Sequence, residues 1–189
     1  MQKILLIAVV ALIGFSSCKK EKNTPAVTVT EKTDSLRVNF SATSTFTFFN
    51  FKNGTVVPNS DSATNKWDIG LRFTTFLVNS GASGPGNAGA ILQNVIYSSV
   101  TEAPATGYGI DTTNSQRAIK DGSWYIYTPA TRSFSPRAGQ TFFFRTADNY
   151  YVKFELLATD YEPFVGPFPS KLIYRFRYTY QANGSRQFN

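Results

Sequence analysis

Few side chains in this chain of 189 residues can do chemistry, and the most versatile are nearly missing. Histidine is absent, the only cysteine is Cys18 and the only methionine is Met1. Without an imidazole, nucleophilic arrangements of the Ser-His-Asp or Cys-His kind are excluded. The usual His and Cys ligands of a zinc site are unavailable as well. The acids Asp68, Asp121, Asp148, Glu155 and Asp160 are scattered, with no spacing that predicts a glycosidase pair and no D-x-D-x-D calcium loop. Residues 84–89, G-P-G-N-A-G, match G-x-G-x-x-G, with Asp111 about 20 residues beyond, as in a dinucleotide fingerprint. That fingerprint needs a helix opening at the loop and further β-α units, and neither is evident. The segment is therefore expected to be a turn in which glycines supply backbone freedom. These residues give enzyme chemistry little support, and neither an enzyme nor a structural metal is expected.

Cys18 has a different chemistry. Lys3 is followed by the apolar run Ile4 to Phe15, then by Ser16, Ser17 and Cys18. This is the layout of a secretory signal. The run is shorter than the about 20 apolar residues that span a bilayer. A cysteine directly after small residues resembles the lipobox of bacterial lipoproteins, where it is acylated and becomes the new N-terminus. Two or more acyl chains anchor a protein stably. The expected organisation is a signal peptide over 1–17, a lipidated flexible tether over 18–33 (rich in Lys and Thr) and one domain over 34–189.

A domain of this size buries enough surface to fold without disulfides. The formal charge of +7 includes Lys3 and the tether lysines Lys19, Lys20, Lys22 and Lys32. The globular part is thus only mildly basic, and nucleic acid is not an expected partner of an exported, membrane-anchored protein.

The elements that would position any site are strands. Alternating or aromatic-rich runs occur at 36–40, 45–52, 67–73, 123–128, 141–146, 151–157 and 172–180, separated by Gly, Pro, Asn and Asp. Only Ile91 to Ile96 has a helical spacing, and it is short and β-branched. The fold class is all-β, a single-domain curled sheet or sandwich. Trp67 and Trp124 each begin an apolar strand and are expected to be buried. In the last run, Leu172, Tyr174, Phe176, Tyr178 and Tyr180 share one face, and Lys171, Arg175 and Arg177 the other. The basic face is expected to be solvated, with a platform for an anionic ligand as the alternative.

Four segments occur in order: WDIGLRF (67–73), VNSGASGPGNAGA (78–90), DGSWYIYTP (121–129) and FRTADNYYVKFELL (144–157). With the lipoprotein start, they resemble the HmuY family of bacterial surface lipoproteins over most of residues 35–180. The resemblance implies a lipid-anchored protein of the Gram-negative outer membrane, facing the cell surface. It implies hemophore-like haem capture and delivery to an outer-membrane transporter. In the family, two His or Met side chains grip the iron, one of them shortly after the W-Y-x-Y strand. Here that strand is Trp124 to Tyr127, and Arg132 stands in the following loop. Arginine has no lone pair for iron. The second ligand would come from around Val100 to Tyr108, where Tyr108 is the only candidate, as tyrosinate. Two readings follow. In one, haem or another porphyrin is held by Tyr125, Tyr127 and Phe134, with Arg132 pairing a propionate. In the other, the same fold binds a non-haem ligand or a partner protein.

Overall fold

The computed structural model describes residues 29–189, except Ala42 and Asn114. The signal segment, Cys18 and most of the expected tether lie outside the described residues. The described chain forms thirteen strands and two single 3-10 turns. In order, the strands are β1 (Glu31–Asn39), β2 (Thr47–Asn50), β3 (Thr55–Val57), β4 (Ile69–Arg72), β5 (Thr75–Val78), β6 (Gly89–Gln93) and β7 (Tyr125–Thr128). They continue with β8 (Ser133–Pro136), β9 (Thr141–Arg145), β10 (Tyr151–Tyr161), β11 (Phe164–Val165), β12 (Phe168–Pro169) and β13 (Lys171–Gln181). All pairings between them are antiparallel.

One sheet runs β1-β13-β10-β9-β6 and a second runs β3-β2-β4-β5. They pack face to face because alternation puts one apolar set on each inner face. β13 contributes Leu172, Tyr174, Phe176 and Tyr178, and β2, β4 and β5 contribute Phe49, Ile69, Leu71 and Phe76. Aromatic rings join the layers edge to face: Phe49 meets Phe176 at 5.6 Å and Phe76 meets Tyr174 at 6.2 Å between centroids. Each sheet's outer face carries a smaller cluster. Trp67 lies with Phe48, Val57 and Leu77 on one side, and Phe143, Val100 and Phe188 lie together on the other. Both tryptophans are buried, Trp67 at 0% and Trp124 at 1% exposure.

β10 changes face partway along. The register against β13 slips between Leu156 and Ala158, leaving Leu157 as an extra, exposed residue. Before this bulge Val152, Phe154 and Leu156 face the core; after it the inward positions are Thr159 and Tyr161, opposite Tyr174 and Leu172. A bulge re-aims side chains in this way. Without it, Asp160 would point inward.

The structure settles four local readings of the sequence. Ile91 and Leu92 belong to strand β6, paired with β9, so the helical spacing there is coincidental. β1 begins at Glu31, so residues 31–33 pair with Arg177 to Thr179 and are not tether. The two arginines on the solvated face of β13 are ion-paired: Arg175 with Asp160, and Arg177 with Glu155 at 2.6 Å and Glu31 at 3.7 Å. Residues 84–89 lead into β6, not a helix. A Cβ on Gly84 would lie 2.1 Å from Asn79 Oδ1 and 2.8 Å from the Trp67 ring. The glycine is there for close packing.

Asp68 is buried. Its Oδ2 accepts from the Phe51 N–H at 2.8 Å and its Oδ1 from the Ala147 N–H at 2.9 Å. Burial pushes its carboxyl up to about 6; the two backbone donors oppose the rise and nearby Asp148 adds to it. The folded state therefore binds this proton more readily than the unfolded chain. The contribution to stability is full below the ordinary carboxylate range and is lost as pH rises through about 6. The whole swing is about 3 kcal/mol, from about 1.4 kcal/mol per unit. Wild-type protein is expected to melt at a higher temperature at pH 5 than at pH 7, with Asp68→Asn flattening the difference. An equal slope in Asp68→Asn would assign the pH dependence to another group.

Candidate functional site

The β10–β13 hairpin and the β7–β8 hairpin meet at one end of the sandwich, and an apolar cleft of about 330 Å³ lies there. β7 follows Trp124, whose ring is fixed by an Nε1–H bond to the Thr74 carbonyl at 3.2 Å and by Phe76 and Tyr174. β8 is docked on the end of β10 through the Phe134 backbone. Its N–H donates to the Tyr161 hydroxyl at 2.6 Å, and its carbonyl accepts from Thr159 Oγ1. These are the two side chains that the β10 bulge turns inward. The bulge thus sets the position of the cleft wall.

One wall of the cleft is Tyr127, Arg132 and Phe134 from this hairpin, with Tyr161 behind. The floor is Phe40, which follows β1, and Phe73, at the β4–β5 turn. The far wall is the small β11–β12 hairpin, which carries Phe164 and Phe168. The rings form a continuous chain. Phe73 meets Phe40 at 5.0 Å and Phe134 at 5.2 Å, and Phe168 stacks on Phe40 at 5.9 Å. Phe164 and Phe168 remain 66% and 58% exposed, so the far wall is covered on one side only. Large exposed aromatics in one place mark a binding surface.

Backbone strain collects here. Three non-glycine described residues have positive φ: Phe73 at 48°, Arg132 at 52° and Asn149 at 65°. Asparagine tolerates this region, but the other two are disfavoured there. Both line the cleft. Phe73 is held by its N–H to the Asn39 carbonyl at 2.9 Å and by the Tyr174 hydroxyl donating to its carbonyl. Arg132 closes the turn between β7 and β8, with its N–H on the Pro129 carbonyl at 3.3 Å. Strain of about 1–3 kcal/mol per residue persists where surroundings enforce it, and it clusters at ligand sites.

The sequence-selected residues fall in three places. Tyr127, Arg132 and Phe134 line the cleft. Tyr125 lies behind it, packed edge to face on Phe134 at 5.0 Å and Trp124 at 4.8 Å. Tyr108 is elsewhere, on the outer face of the larger sheet with Tyr151 at 6.0 Å and Arg145 near its ring. The region from Val100 to Tyr108 contributes nothing to the cleft lining. Phe40, Phe73, Tyr161, Phe164 and Phe168 are not among the sequence-selected residues. The available signal was the segment Tyr161 to Pro169, where two Phe alternate with three Pro in a connector that would ordinarily be polar.

The cleft is apolar, with one cationic side chain on its lining, Arg132. Burial raises the Tyr161 phenol above its ordinary pKa, against the hydrogen bond from Phe134, so it stays protonated. Among the described residues no three His, Cys, Asp or Glu gather in a metal-binding group. No described helix is long and apolar enough to cross a membrane. A flat apolar ligand with an acidic edge fits this lining. An iron centre that needs imidazole or thioether ligands does not.

No family model matches the chain, and no curated protein matches it significantly. Solved structures match it in fold. The apo HmuY analogue of Tannerella forsythia superposes with a TM-score of 0.51 at 14% identity, covering 79% of this chain and 96% of that one. A Bacteroides vulgatus protein described as HmuY-like and haem-binding gives 0.47 at 11% identity, over 77% and 90% of the two chains. A Bacteroides fragilis protein described as a lipoprotein gives 0.45 at 11%, over 76% and 88%. The Tannerella match carries the fold: this chain has the HmuY-like all-β fold.

Proposed function

We propose that this protein is a surface lipoprotein that binds a haem-type tetrapyrrole in the cleft between the β7–β8 and β11–β12 hairpins. The single observation behind this reading is the cleft itself: Phe40, Phe73, Phe134, Phe164 and Phe168 around an apolar space, with Arg132 as the cationic lining side chain. A porphyrin has an apolar macrocycle for the rings and propionates for the guanidinium. The HmuY-like fold supports the reading at the level of architecture. The role on this reading is capture and transfer, with an outer-membrane transporter as the receiving partner.

The test is a Soret-band titration of the purified domain with haem. Saturable binding is expected. Phe134→Ala should weaken it about tenfold, since losing a buried ring contact of about 1.4 kcal/mol gives that factor. Tyr108→Phe should leave it unchanged. Absence of a saturable change, or loss in Tyr108→Phe with none in Phe134→Ala, would refute this placement.

The exposed Phe164 and Phe168 favour a second reading, in which the β11–β12 tip docks a partner protein. Phe164→Ser with Phe168→Ser would abolish partner capture on this reading, whereas on the first it would weaken the haem titration.

Anchoring at the outer membrane through Cys18 rests on the signal-like start alone. Cells fed a labelled fatty acid are expected to label the wild type and not Cys18→Ala. Label retained in the variant would overturn the anchor, because no other cysteine is present.

A further inference from the structure

Taking the tetrapyrrole reading as its basis, we propose that the cleft grips the macrocycle and one carboxylate, and not the metal. Metal-free and metal-loaded porphyrins should therefore bind alike. The argument is an inventory of lone pairs. Iron held axially on both faces needs a donor atom on each wall of the cleft. The floor and far wall offer Phe40, Phe73, Phe164 and Phe168, whose side chains have none. On the near wall, Arg132 is a donor of protons only. The hydroxyls of Thr131 and Ser133 bond to each other at 2.6 Å. The Tyr161 oxygen already takes the Phe134 N–H at 2.6 Å.

Tyr127 is the remaining phenol, and it lies on the same hairpin as Phe134, with ring centroids 4.8 Å apart. A phenol binds ferric iron as phenolate, having lost a proton that ordinarily leaves near pH 10. No lysine or carboxylate lines the cleft to accept that proton. The chain has no histidine, and its only methionine is Met1. The residues thus fit the porphyrin and do not fit the iron. What remains for recognition is the aromatic surface and Arg132, and both address parts of the ligand that are the same with or without a metal.

The experiment compares haem, zinc protoporphyrin and metal-free protoporphyrin on the same domain, with Arg132→Ala and Tyr127→Phe alongside. The three dissociation constants are expected to agree within about threefold. Arg132→Ala should weaken all three by the same factor, about 5–10, for loss of a charge-assisted hydrogen bond. Tyr127→Phe should leave the haem-to-protoporphyrin ratio at one. Haem binding more than about a hundredfold tighter than protoporphyrin, with a sharp low-spin six-coordinate spectrum, would overturn metal indifference and leave the tetrapyrrole reading standing. A selective loss of haem binding in Tyr127→Phe would overturn it too, and would assign the phenol as ligand. Binding of none of the three would overturn both.

Discussion

Trp124→Ala is expected to destabilise the domain by about 3–5 kcal/mol, the usual cost of emptying a buried large aromatic site. That is a large share of the about 5–15 kcal/mol that holds a typical domain folded. The indole is 1% exposed and touches Phe76, Tyr174 and Tyr125, one ring from each surrounding element. Its Nε1–H bond to Thr74 also supports the turn that holds Phe73. The effect should extend beyond stability. Trp124 supports Tyr125, Tyr125 supports Phe134, and Phe134 forms the cleft wall. Trp67→Ala removes an equally buried ring on the far side of the smaller sheet, among Phe48, Val57 and Leu77. The two variants should melt similarly early in a denaturant titration. Only Trp124→Ala should also weaken porphyrin binding at a temperature where both remain folded. Equal affinities in the two would disconnect Trp124 from the cleft. Trp124→Phe, which keeps a ring and loses the Thr74 bond, should cost about 1–2 kcal/mol.

The strands that the sequence made legible are those with one buried and one wet face. β13 alternates from Lys171 to Tyr178, and the strand expected over 172–180 lies within a residue of its bounds at each end. β10 alternates only as far as Leu156, and the predicted strand stopped at Leu157. The bulge there inverts the pattern, so Thr159 and Tyr161 look misplaced to any period of two, although they are inward residues. The short strands failed for another reason. Ser133 to Pro136 has the composition of a turn and becomes β8 only because Tyr125 to Thr128 offers it a partner. The pairing of Phe164–Val165 with Phe168–Pro169 is likewise a tertiary outcome of the Pro-rich tip. The cleft was half legible: the hairpin side by resemblance, the opposite wall not at all. Its floor joins Phe40 and Phe73, which are brought together by β1 packing on the β4–β5 turn and by no sequence spacing.

Asp111 carries the other large expected effect, and it lies far from any chemistry the sequence suggested for it. Its spacing from the glycine-rich segment imitates a ribose-binding acid, but its side chain is 0% exposed. Oδ2 accepts from the Val78 N–H at 3.1 Å and the Ser83 hydroxyl at 2.7 Å, and Oδ1 from the Ala118 N–H at 2.9 Å. Arg117 Nη1 lies 3.6 Å from Oδ2 and donates to Ser83 Oγ at 2.6 Å. The Asp111 carbonyl takes the Ala82 N–H at 2.7 Å, and a Cβ on Gly81, at φ +57°, would strike that oxygen at 2.1 Å. One residue thus ties the edge of β5, the glycine-rich loop and the long connector before β7. Asp111→Ala would strip the acceptor from two backbone donors and remove one end of the ion pair with Arg117. Breaking a buried pair from one side costs about 3–5 kcal/mol. The loss is expected in an urea titration, with hydrogen exchange rising first at Val78 and Ala118. Asp111→Ala combined with Arg117→Leu removes both charges together. It should cost less than the two single substitutions added, because the members of one network are coupled. Additive losses would mean that Asp111 acts through the N–H and hydroxyl donors it accepts from, and the ion pair with Arg117 would then contribute nothing to the fold.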